Sequence, residues 1–274
     1  MRRLLIVNAD DYGQTPGVSA GIRQAHLEGI VTTTTVLANR PGALDAIRVA
    51  RHRTPDLGLG VHLNLTSGRP CSPPESIPSL VDAEGLFLRP EVHLSEPRRV
   101  DRRQAEIEWR AQIETFLQSG ALLDHLDSHH HIAASRPDLW DLCLDLAREF
   151  GCGVRLPVLP EPAPPEAVRL FTFDEAMQSL SYKDVSHPNA FVKHFYGDQA
   201  TLENLQSILR GLEPGVTELM THPGQADQEL LSTSDYASER ETELALLTDP
   251  GVRQTIEREG ILLTTFRQAL ATGP

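Results

Sequence analysis

Short apolar runs alternate with stretches of helical periodicity along almost the whole of this 274-residue chain, and that alternation restricts the fold more than any other feature. Residues 4–7 (LLIV) are aliphatic and bounded by polar residues, the pattern of a strand buried on both faces. The loop DYGQTPG follows. Thr15 suits a helix N-cap and Pro16 the first helical position, so 18–27 reads as a helix that Gly29 ends. The same reasoning predicts strands over 31–37, 57–65, 122–127, 154–159, 217–221 and 261–266. It predicts helices over 42–52, 101–117, 137–150, 201–212, 238–247 and 250–259, with Gly151 stopping the helix before it. In the 101–117 helix, Ile107, Ile113 and Phe116 are expected to share one side. Alternating strands and helices imply an α/β fold with a parallel sheet and right-handed crossovers. Roughly seven such units imply a closed or nearly closed (β/α) barrel, with a doubly wound open sheet as the competing architecture. Residues 1–274 read as a single domain. The Pro- and Gly-rich segment 67–100 has no core of its own and reads as an excursion over the sheet, and 157–165, with five prolines, as a second rigid loop.

Charge and cysteine content exclude several classes of function. The formal net charge is -13, from 25 basic and 38 acidic residues, and Arg98, Arg99, Arg102 and Arg103 are interleaved with Glu96 and Asp101. A phosphate-backbone binder needs a basic face, so no nucleic-acid partner is expected; a neutral, hydroxyl-rich substrate such as a sugar fits without strain. Cys71, Cys143 and Cys152 are scattered and odd in number, which offers neither a disulfide framework nor a CxxC metal site and points to a reducing compartment. The amino-terminal apolar run is too short for a signal peptide, and no stretch is long enough to span a bilayer, so the expected location is cytoplasmic.

Ionisable residues gather at the carboxyl ends of several expected strands, the rim on which α/β folds build their sites. Asp10 and Asp11 follow the first strand, and His62 and Asn64 lie late in the third. His125, Asp127, His129, His130 and His131 sit at and just after another, and His222 follows the strand ending at Thr221. Successive strand residues face opposite sides, so both aspartates enter one site only if the chain turns at Asp11. Histidines with carboxylates suit zinc and related divalent ions. His26, His52, His93, His187 and His194 have no comparable setting.

Taken together, NADDYG at 8–13, GVHLNLT at 60–66, HLDSHHHI at 125–132 and THPG at 221–224 resemble the YdjC-like carbohydrate deacetylase family, which includes chitooligosaccharide deacetylases and relatives linked to hopanoid biosynthesis. The tail SERETELALLTDPGVRQTIEREGI is similar too. The resemblance implies a single-domain, incomplete or distorted (β/α) barrel with mostly parallel strands and one divalent metal ion, magnesium or zinc. By the family's motifs Asp11, His62 and His129 would hold the metal, Asp10 would be the general base and His222 the general acid. The implied reaction is hydrolysis of an N-acetylated sugar to acetate and a free amino sugar, and the implied assembly includes a homodimer. Asp127 is a candidate for orienting a neighbouring imidazole. His125 is a further candidate beside the site. Arg155 is a candidate for contacting substrate, for pairing with a site carboxylate, or for a structural salt bridge. Where many members read HHHxH, the last position here is Ala133. Two other functions remain open on the residues alone: a glycosidase using paired carboxylates, and a non-catalytic metal- or sugar-binding protein.

Overall fold

A computed structural model describes residues 2–96, 99–158 and 172–270. The first half of the chain forms β1 (Arg3–Tyr12), α1 (Pro16–Leu27), β2 (Thr33–Val36), α2 (Ala43–Arg53), β3 (Gly58–Leu63), α3 (Pro90–Ser95), α4 (Arg102–Gln118), β4 (His125–Ser128) and α5 (Pro137–Phe150). The second half forms β5 (Gly153–Val154), α6 (Phe173–Lys183), β6 (Ala190–Val192), α7 (Leu202–Arg210), β7 (Gly215–Thr221), α8 (Gln228–Thr233), α9 (Ser238–Leu247), α10 (Pro250–Glu259), β8 (Leu262–Leu263) and α11 (Phe266–Leu270).

All strand pairs are parallel, in the order β5-β4-β3-β2-β1-β7-β6. β7 covers one edge of β1 from Arg3 to Ala9, and β8 lies on the other edge at Leu4 and Leu5, below β2. The two ends of the path face each other. The guanidinium carbon of Arg155, just after β5, lies 5.0 Å from the ring centroid of Phe191 in β6. An open doubly wound sheet would hold those ends apart. The sheet is therefore curled into an incomplete (β/α) barrel, in which β5 and β6 do not pair among the described residues.

Period-two alternation sorts the side chains. Leu5, Val7, Ala9, Val36, Val61, Leu63, Leu126 and Leu219 join Ile22, Ile47, Ile113, Phe116 and Leu142 in the main core between sheet and helices. Inside the barrel, Ile6, Val216, Phe266 and Ala269 form an apolar floor. Above it the interior turns polar: Asn8, Thr33, Thr35, Asp127 and Glu218 are all buried.

Several expected elements recur with altered bounds. The strand expected over 154–159 is only Gly153–Val154, and Leu159 with most of the proline-rich run lies outside the described residues. The strand expected over 261–266 is reduced to Leu262–Leu263, because Phe266 opens a helix and buries its ring in the barrel floor. The strand expected from 122 begins at His125, and Leu122 is 71% exposed. Ile107, expected to share a side with Ile113 and Phe116, is 46% exposed, because nine residues place it half a turn round the helix from Phe116. The buried face of α4 instead carries Glu108 and Gln112 beside Trp109, Ile113 and Phe116. The polar pair serves backbone that has no strand partner. Glu108 accepts from the amides of Cys71 (2.9 Å) and Ser72 (2.8 Å), while Gln112 accepts from Asn64 N (2.9 Å) and donates to Asn64 O (2.6 Å). Buried amides need such acceptors. Ile77, Leu80, Val81 and Phe87 of the 67–100 segment pack into the main core.

The loop after β7 is seated on α1 through two glycines one turn apart. Gly17 N donates to Asp227 Oδ2 (2.6 Å), and Gln225 N donates to Gly17 O (3.1 Å). A Cβ on Gly21 would stand 2.6 Å from the Gly224 backbone. Gly21→Ala is therefore expected to displace this loop and to cost about 1–3 kcal/mol in urea unfolding, the usual range for overpacking. An unfolding midpoint equal to wild type would contradict the close approach.

Candidate active site

The site begins with an irregularity in β1. Regular alternation would send Asp10 inward and Asp11 outward. The register against β2 shifts between Ala9 and Tyr12, and Asp11 adopts a φ of 74°. That left-handed residue rotates the second carboxylate back over the barrel mouth. Such a conformation costs a non-glycine residue about 1–3 kcal/mol and is found where the surroundings fix it, commonly at functional sites. Here Asp11 Oδ2 accepts from Arg240 Nη2 at 2.5 Å.

Two imidazoles meet the other oxygen. His62, on the inner face of β3, brings Nε2 to 3.4 Å from Asp11 Oδ1. His129, the first residue beyond β4, brings Nδ1 to 3.1 Å from the same atom. The His run cannot continue the strand, since His130 and His131 both have a φ of 53°. Asp11 Oδ1 is buried and makes no hydrogen bond. An orphaned carboxylate oxygen facing two imidazole nitrogens, all three ligand atoms within 4.8 Å of one another, is a donor set that fits a divalent cation. His62 Nδ1 lies 2.6 Å from Asp127 Oδ1, the carboxylate–imidazole contact that turns the opposite nitrogen toward the cation position.

Asp10, His62 and Asp127 also cluster, but a cation already occupies that side. Arg155 donates through Nη1 and Nη2 to both oxygens of Asp10 (2.7 and 2.6 Å). Its Nη1 also lies 2.8 Å from Asp127 Oδ2, and its Nε donates to Glu218 Oε1 at 2.7 Å. Burial pushes the Asp10 carboxyl up, but the guanidinium outweighs it and holds the group below the usual carboxylate range. Glu218, with Oε2 unpartnered, is pushed up by burial to about 7, because Arg155 offsets that only in part.

His222 lies across the cleft, its Nε2 3.9 Å from Asp10 Oδ2. Burial lowers its pKa to about 4 although Asp10 opposes the shift, so the resting imidazole is neutral at pH 7. Its amide donates to Glu243 Oε2 at 2.5 Å, and Tyr236 Oη donates to Glu243 Oε1 at 2.5 Å. Asp10, Asp11, His62, His129, His222, Tyr196, Tyr236 and Arg240 line one cleft of about 550 Å³.

Of the residues singled out in the sequence, Asp10, Asp11, His62, Asp127, His129, Arg155 and His222 come together. His125 does not. It lies two residues before Asp127 on the same inner face, hence one layer deeper, with its ring stacked on Phe266 at 3.8 Å. Ala133 is buried and away from the cleft lining. Arg240, Glu243, Glu218 and Asn8 belong to the site although sequence reasoning does not single them out. Arg240, Glu243, Leu244 and Leu247 share a face at helical spacing, so charges standing on an apolar stripe are the available signal. Glu218 inside the run VTELM is another.

The profile of the YdjC-like protein family matches residues 4–258. A carbohydrate deacetylase of Brevibacillus brevis is 39% identical over 96% of this chain and 98% of its own length. One from Thermoanaerobacter pseudethanolicus is 38% identical over 96% and 98%. A crystal structure of a protein from Enterococcus faecalis V583 superposes with a TM-score of 0.86 at 34% identity, covering 97% of this chain and 98% of that one.

Removing the guanidinium would leave Asp10, Asp127 and Glu218 buried without the cation that joins them, with His62 still paired to Asp127. Arg155→Met should lower stability by about 3–5 kcal/mol at pH 8, the range for breaking a buried ion pair. Without the cation, burial raises the Asp10 carboxyl above its unfolded value and pushes Glu218, already raised, further up, so the deficit grows as pH rises and shrinks toward pH 5. Urea unfolding at pH 5 and pH 8 measures this; an equal deficit at both would show that the loss is packing alone.

Proposed function

Because the chain belongs to the YdjC-like protein family, we propose that it is a carbohydrate deacetylase, a metal-dependent hydrolase that takes the acetyl group from an N-acetylated sugar and releases acetate. The observation that supports this most is the convergence of Asp11, His62 and His129 beside Asp10 and His222 at one cleft.

Asp11, His62 and His129 would hold the cation, and two imidazoles with one carboxylate favour zinc over magnesium, which prefers oxygen ligands. Such an ion, when bound, polarises the acetyl carbonyl and acidifies water at neutral pH. Asp10 takes the proton of the attacking water, and Arg155 keeps that carboxylate ionised beforehand. The same guanidinium makes protonated Asp10 ready to give the proton up. His222 is neutral at rest and must acquire a proton before acting as an acid; Asp10 Oδ2, 3.9 Å away, is a source within the site. His222 then protonates the departing amine, which leaves poorly as an anion. The water proton thus ends on the amino sugar, and the oxygen on acetate.

A glycosidase would need Asp10 and a second acid free across the cleft, yet Asp127 and Asp10 share one guanidinium. A purely metal-binding role would leave the 550 Å³ cleft beside the cluster unused. No helix among the described residues is long and apolar enough to cross a membrane, and the three cysteines are free; both agree with a cytoplasmic enzyme.

Acetate release from N-acetylglucosamine oligomers is expected, lost on chelation and restored by divalent metal. Failure to release acetate from any N-acetylated sugar would sink the reading. Asp11→Ala, His62→Ala and His129→Ala should each lower metal content in elemental analysis. Asp10→Asn should keep the metal and lose about 10²–10⁴-fold in kcat, the usual contribution of a general base; an unchanged rate would remove Asp10 from that role.

A further inference from the structure

Beside His222 the cleft wall carries an aromatic pair that the reaction chemistry does not use. Tyr196 and Tyr236 stack in parallel, with centroids 4.3 Å apart and planes 5° apart. Tyr196 is nevertheless 46% exposed, and its hydroxyl makes no hydrogen bond among the described residues. Of the exposed aromatics described, Phe173, Tyr182 and Tyr196, only Tyr196 lines this cleft. Its backing is rigid. Tyr236 Oη donates to Glu243 and accepts from Gly197 N at 2.9 Å, and Glu243 in turn holds the amide of His222. Platform and imidazole therefore share one support. The His222 ring stands edge-on to Tyr196, with centroids 5.3 Å apart and planes 73° apart.

An exposed ring with one face covered and rigidly backed offers its other face to a flat ligand with apolar C–H groups. A pyranose has such a face, with hydroxyls around its edge, and Lys193, Ser234 and Asp235 line the same cleft. We propose that Tyr196 is the stacking platform for the pyranose ring whose nitrogen His222 serves, so that it selects cyclic amino sugars over simple acetamides. This rests on the deacetylase reading.

The test uses zinc-loaded Asp10→Asn protein, in which turnover is blocked, titrated calorimetrically with N-acetylglucosamine and its β-1,4-linked dimer. Tyr196→Ala should weaken binding about tenfold, the order lost when an aromatic that stacks on a nucleic-acid base is truncated. Tyr196→Phe, which keeps the ring, should recover most of the affinity. In the otherwise wild-type enzyme, Tyr196→Ala should raise KM more than it lowers kcat, with an unchanged urea midpoint. Unaltered affinity in Tyr196→Ala, or a Phe variant as weak as Ala, overturns the platform. If the wild type turns over and Tyr196→Ala binds as tightly, the platform alone falls. If the wild type neither binds nor deacetylates any N-acetylated sugar, the deacetylase reading falls and takes the platform with it.

Discussion

A single buried guanidinium organises the interior of this barrel. Arg155 follows the two-residue strand β5 at one end of the sheet, yet it reaches Asp10 on β1, Asp127 on β4, Glu218 on β7 and the Phe191 ring on β6. Taking a guanidinium and carboxylates out of water is costly, and mutual attraction compensates only where the geometry is good and the remaining lone pairs are met. Asn8 Nδ2 donates to Asp10 Oδ1 (2.7 Å), and Thr35 Oγ1 donates to Asp127 Oδ2 (3.1 Å), supplying part of that satisfaction. The curl of the sheet and the polar middle of its interior are two aspects of one arrangement, because only a curled sheet brings those carboxylates around one cation.

The same arrangement divides labour among the carboxylates at the mouth. Asp10 is committed to Arg155 through both oxygens, and Asp127 is shared between Arg155 and His62. Asp11 gives one oxygen to Arg240 and keeps the other unpartnered toward His62 and His129. Two adjacent residues of the same type thereby acquire different environments. One faces a fixed guanidinium, and the other leaves an acceptor open beside imidazole nitrogens. The left-handed Asp11 is the local cost of that division.

The wall opposite is assembled by a helix with charges on its buried face. Arg240 and Glu243 of α9 reach Asp11 and the His222 amide, while the glycines of α1 let the His222 loop lie close. The position of His222 is therefore set by contacts from α1, far from it in sequence, and from α9, which follows it by some twenty residues.

Much of this architecture is legible in the order of residues. The parallel α/β arrangement follows from alternation, and helices 137–150, 238–247 and 250–259 have the bounds their caps and periodicity indicate. The residues at the strand ends are legible too, because charge and imidazole directly after an apolar strand have no packing reason to be there. Local pattern fails where tertiary contact overrides it. Periodicity favours an apolar buried face on α4, yet that face takes Glu108 and Gln112, since backbone elsewhere needs acceptors, while Ile107, half a turn round the helix from Phe116, is exposed. Spacing along the chain thus settles which elements form and which residues stand on the rim. Closure of the sheet settles the rest: Arg155 joins four strands, Arg240 and Glu243 support the site, and His125 lies a layer below it. Closure brings together residues whose separation along the chain carries no local signal, so periodicity and capping have nothing to say about them.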